Sequence, residues 1–152
     1  MSSHNALGIR VIELPACKMA VAAGAALPEF DRWWSELDKQ RADKFYPRDF
    51  MYHDAQMNQL VWLYALPAAY GELCPYPLHD FPGGCYAVAV SIDQNDADGE
   101  RVHQGIKAWI EASDALVVDE SQDRPTLFHV ITSDRAYAKL TYRQLDIYVP
   151  VR

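Results

Sequence analysis

Cysteine, basic charge and long apolar runs are all scarce in this sequence. Only three cysteines occur, Cys17, Cys74 and Cys85, odd in number and widely spaced. They form neither a CxxC pair nor a disulfide framework, so three reduced thiols in a cytoplasmic protein are expected. No apolar run approaches the roughly 20 residues that a membrane helix needs. Met1 to Leu7 lacks the basic and apolar regions of a signal peptide. Lys and Arg number 14 against 21 Asp and Glu, giving a formal net charge of −7. An acidic surface repels a phosphate backbone, and no Lys/Arg stripe overrides it. Neither nucleic-acid contact nor membrane insertion is expected.

Motifs for chemistry are equally sparse. There is no GxSxG elbow and no glycine-rich phosphate loop, and the cysteines have no activating base near them in sequence. His4, His53, His79 and His103 do not cluster with His129, and His53-Asp54 lacks the spacing of a metal site. No metal, cofactor or catalytic residue is expected. Glu72, Asp80 and Asp146 could pair only through the fold, and solvation at the surface is the expectation for each.

What is present suits one domain. The chain has 152 residues, 50% of them hydrophobic and 23% charged, enough to bury a core without staples. Two stretches have helical periodicity. Phe30, Trp33, Trp34 and Leu37 follow i, i+3, i+4, i+7, with Pro28 suited to the first turn. Val102, Ile106, Trp109 and Ile110 share a second face, preceded by the acidic run Asp93 to Glu100. Strands are expected at Ile9–Leu14, Lys18–Ala23, Phe50–Tyr52, Leu60–Leu66, Tyr86–Ile92, Leu116–Val118, Leu127–Thr132 and Asp146–Val151. Glycine and proline punctuate residues 67–84, where a joint is placed.

The two halves resemble each other. Met19-Ala20-Val21-Ala22 and Tyr86-Ala87-Val88-Ala89 lie 67 residues apart, each shortly preceded by a proline and followed by a Trp-bearing helix and then strands. A duplication with modules near residues 9–66 and 82–151 accounts for this order.

Gly83-Gly84-Cys85-Tyr86-Ala87-Val88-Ala89-Val90 resembles the GGxYAVAV strand of DNA gyrase inhibitor-like (GyrI-like) proteins. The Trp109 helix, the strand Leu127-Phe128-His129-Val130 and the closing Asp146-Ile147-Tyr148-Val149-Pro150-Val151 follow in that family's order. Val11-Ile12-Glu13-Leu14-Pro15 is similar to its opening strand. The resemblance covers roughly residues 9–152 and implies an α+β fold. In it, two strand-helix-strand-strand modules related by a pseudo-twofold form antiparallel sheets, with two helices around a central cleft.

The family also supplies effector-binding domains of AraC-type and MerR-type regulators, including multidrug binders. The first strand starts close to Met1, so a stand-alone binder is the expectation. The resemblance implies a small hydrophobic or aromatic ligand that is sequestered or sensed. Two alternatives are a protein–protein role on a partner such as DNA gyrase, and hydrolysis of electrophilic toxins. Tyr86, Trp109, Trp33, Tyr64, Trp62 and His129 are the candidate ligand contacts, with core packing the competing explanation for each. Family members that bind cationic drugs carry F-E-x-Y where this chain has Phe128-His129-Val130-Ile131. An imidazole offers no fixed negative charge, and when protonated it repels a cation.

Overall fold

The computed structural model describes residues 5–41, 47–68, 70 and 73–152. In chain order they form β1 (Arg10–Leu14), β2 (Cys17–Ala23), α1 (Leu27–Lys39), β3 (Asp49–Asp54), β4 (Gln59–Ala65) and β5 (Leu78–Phe81). There follow β6 (Gly84–Ile92), α2 (Asp96–Ala112), β7 (Leu127–Val130), α3 (Asp134–Leu140) and β8 (Gln144–Val151). The expected α+β class is what is observed, with antiparallel sheets and amphipathic helices. The short helix α3 and the strand β5 were not legible in the periodicity, and Leu116–Val118 contributes only an isolated bridge from Val118 to Val151.

The chain divides into two compact units, and their boundaries differ from the expected modules. One, the terminal unit, comprises Met1–Pro15 and Pro82–Arg152; the other, the middle unit, comprises Ala16–Phe81. The sequence repeat groups Ile9–Leu14 with the first half, but β1 pairs antiparallel with β6, from Arg10↔Val88 to Leu14↔Gly84. In the middle unit β2 is paired instead by β5, from Cys17↔Phe81 to Ala20↔Leu78. The cause lies at the ends of these strands. Leu14 is followed by Pro15 and Phe81 by Pro82. Proline fixes φ near −65° and cannot supply the positive φ of a tight hairpin turn. The chain therefore leaves each strand without folding back on it.

The result is one strand order used twice. The terminal unit runs β1-β6-β8-β7 and the middle unit β5-β2-β4-β3. The 67-residue offset maps the end of β1 onto the end of β5 and the start of β2 onto the start of β6. Helix α2 begins at Asn95, whose side chain accepts the Asp98 N–H, and Asp96 and Asp98 place negative charge at its positive end. Its buried stripe, Val102, Ile106 and Ile110, packs on Ala87, Ala89, Ile147, Val149 and Val151. Helix α1 places Phe30, Trp33, Trp34 and Leu37 over Ala20, Ala22, Tyr64 and Leu66. The same layer is thus aliphatic in one unit and aromatic in the other.

Ile106 is fully enclosed in the α2 layer, whereas Val90 is 45% exposed. Ile106→Ala should lower unfolding free energy by about 2–4 kcal/mol in denaturant titrations. Val90→Ala should change it by less than about 0.5 kcal/mol. Equal losses would contradict the assignment of the two faces.

Candidate functional site

Strand alternation assigns each side chain of the terminal sheet to a face. Ala87, Ala89, Ile147, Val149 and Phe128 lie toward α2. The opposite face carries rows set by the register. His129, Asp146 and Val90 form one row, Leu127, Tyr148, Val88 and Arg10 the next, and Pro150, Tyr86 and Ile12 a third. Tyr86, Val88, Leu127 and Tyr148 are buried, closing one end of this face. At the other end Val90 and Ile92 are 45% and 40% exposed, and His129 and Gln144 are half-buried. Asp146 sits where the closed and open ends meet.

Asp146 overturns the expectation of a solvated carboxylate, since only 4% of it is exposed. Burial pushes its carboxyl above the ordinary value, while Arg10 and His129 pull it back down. No hydrogen bond to the Asp146 carboxylate forms among the described residues. By contrast Asp80 is the expected surface carboxylate, paired with Lys18 at 2.9 Å. Glu72 and His4 lie outside the described residues.

The Gly83-Gly84 pair has a local cause. Gly84 adopts φ +118°, and a Cβ there would stand 2.8 Å from Arg124 Nη2. The Arg124 guanidinium lies over the Tyr86 ring, 4.7 Å from its centroid. It donates to Cys85 O at 2.6 Å, to Val151 O at 3.4 Å and to Asp119 Oδ2 at 3.1 Å. Tyr86 also meets Tyr148 edge to face at 6.3 Å. Burial raises the Tyr86 phenol, and Arg124 opposes the rise.

Three of the six candidate residues lie in each unit. Tyr86 and His129 share the face of the terminal sheet opposite α2. Trp109 packs against the aliphatic layer under α2, on the other side. Trp33, Trp62 and Tyr64 belong to the aromatic layer under α1, with Trp34 stacked on Tyr64 at 5.3 Å. Tyr64 donates to Asp38 Oδ1 at 3.0 Å and accepts from Arg41 at 3.1 Å, and Arg48 pairs with Asp38. Burial pushes the Tyr64 phenol up to about 12. Trp33, Trp62, Tyr64 and Trp109 thus all contribute to helix–sheet packing. Val90, Ile92 and Asp146, which share this face with His129, were not among the residues singled out from the sequence as ligand contacts. For Asp146 the signal was its place opposite His129, which only strand pairing reveals.

Among the described residues no group of three His, Cys, Asp or Glu could hold a metal, and no helix is long and apolar enough to cross a membrane. Cys85 is exposed, and burial pushes the Cys17 thiol up against the pull of Arg41.

No protein-family model and no curated protein matches the sequence significantly. Solved structures do match its fold. The EcmrR C-terminal domain aligns with a TM-score of 0.61 at 12% identity, covering 95% of this chain and 96% of that one. SAV2435 bound to tetraphenylphosphonium aligns at 0.55 and 9% identity, covering 95% and 93%. EcmrR in a DNA complex aligns at 0.63 and 12% identity, and there this chain spans 57% of the longer protein. What these structures share with this chain is the fold.

A raised carboxyl binds its proton more tightly in the folded protein than in the unfolded chain. Charged Asp146 therefore opposes folding at neutral pH, and that penalty vanishes below the unfolded value near 4. Asp146→Asn should raise Tm at pH 7 by a few degrees, roughly 2–5 °C, and by much less at pH 3.5. A loss of stability at pH 7 would show that Asp146 is instead a satisfied structural group.

Proposed function

We propose that this chain is a small-molecule-binding domain. The open end of the terminal sheet takes a hydrophobic, aromatic ligand bearing a hydrogen-bond donor. The observation that carries this reading is Asp146: a carboxylate withdrawn from water, without a hydrogen bond among the described residues, beside exposed Val90 and Ile92. Buried charge with only partial compensation opposes folding, and such groups concentrate at functional sites. Val90 and Ile92 supply apolar surface worth roughly 25 cal/mol per Å² removed from water, before the losses of association. Asp146 accepts from the ligand, His129 in the same row orients it, and Arg10 stands at the rim. The likeness of fold to tetraphenylphosphonium-bound SAV2435 supports a small-molecule role.

The charge of the ligand follows from the same row. A site with a carboxylate at position 129 as well as Asp146 would favour lipophilic cations. Here imidazole faces Asp146, and Arg10 adds positive charge nearby. Neutral ligands are then preferred over cations of the same shape.

Calorimetric titration with tetraphenylphosphonium and the neutral triphenylmethanol, whose hydroxyl can donate to Asp146, tests this directly. The wild type should bind the neutral probe more tightly. Val90→Asp should weaken its binding about tenfold or more, by placing a charge against the apolar probe. His129→Glu should move the preference toward the cation by about 1–2 kcal/mol, roughly tenfold. Absence of saturable binding, or identical preferences in all three proteins, would overturn the reading.

A further inference from the structure

The closed end of the same face holds a second constellation, built around a side chain that comes from a loop. Arg124 precedes β7 and is held by a turn in which Ser121 and Arg124 exchange backbone hydrogen bonds at 3.2 Å. From there the guanidinium reaches the paired ends of β6 and β8 at Cys85 and Val151, and its side chain is only 12% exposed. Every polar group that meets it is an acceptor: Cys85 O, Val151 O and the Asp119 carboxylate. Its remaining contact is the π face of Tyr86. Carbonyl oxygens, a carboxylate and an aromatic face form a lining complementary to a planar or quaternary cation and hostile to an anion. Gly84 completes the space, because any side chain at that position would collide with the guanidinium.

The fit is imperfect in one respect. Arg124 Nε is buried with no hydrogen-bond partner, so the guanidinium uses only its two terminal nitrogens. An arginine whose purpose was to tie the loop down would be expected to satisfy all three. We propose that Tyr86, Gly84, Asp119 and the Cys85 and Val151 carbonyls form an organic-cation site that the chain fills with its own Arg124. The arginine stands in for a small guanidinium or quaternary ammonium ligand, and while it is in place such cations cannot reach Tyr86. This site is separate from the open end of the face and does not depend on the ligand assigned there.

Chemical rescue tests the inference. Arg124→Ala removes the internal cation and leaves its cage, with access from the surface where the side chain entered. Millimolar methylguanidinium or tetramethylammonium should then raise the Tm of the variant saturably, at matched ionic strength. Apparent affinity should be at least about tenfold tighter than for wild type, whose Tm should not respond. Adding Tyr86→Leu to the variant should abolish the rescue. Arg124→Gln provides a second variant, since Gln reaches the Cys85 carbonyl without charge and should show a smaller gain with the same cations. No gain in either variant beyond wild type would overturn the proposal. So would rescue that persists without the Tyr86 ring.

Discussion

Exchange of one strand between the halves of a duplicated chain is the constraint on which the other features depend. Because β1 hydrogen-bonds to β6 and β5 to β2, neither half completes its sheet from consecutive sequence. Pro15 and Pro82 enforce this at equivalent positions by denying the chain a tight return. Within the terminal sheet β6 also pairs with β8, in a register that sets Val90 beside Asp146. The β7 pairing then sets His129 opposite the same carboxylate. A slip of one residue would turn Asp146 into the aliphatic layer under α2, where an uncompensated charge is far more costly.

Two arginines and two carboxylates shape the face of the terminal sheet opposite α2. At its open end Asp146 is desolvated and only indirectly balanced by Arg10 and His129. At its closed end Arg124 lies on Tyr86 and is itself balanced by Asp119. Charge is therefore distributed so that neither end presents a free negative surface.

Much of the scaffold was legible in the sequence, and the site much less so. The spacing of Val102, Ile106 and Ile110 gave α2, and the Ala-Val-Ala repeat gave β2 and β6 as equivalent strands. The partner of β1 was not legible, because a strand's pattern records which face is buried and not which neighbour it meets. Four residues of β5 and seven of α3 are too few to show a period. Aromatic residues are ambiguous for a physical reason. Trp33, Trp62, Tyr64 and Trp109 have the large apolar faces that suit both a ligand and a helix–sheet layer, and all four pack in such layers. Asp146 was concealed in the opposite way, as a carboxylate of a common type whose burial arises only from its neighbours on β6 and β7.

A ligand held at the open end of the terminal sheet by Asp146 and its row leaves a local trace in solution. Amide shifts of ¹⁵N-labelled protein, followed during titration with triphenylmethanol, read that placement. Saturable shifts are expected, largest at Val90, Ile92, His129, Gln144 and Asp146, with little change at Trp33, Trp62 and Trp109. Shifts centred on the α1 layer around Trp33 and Trp62, or none that saturate, would contradict it.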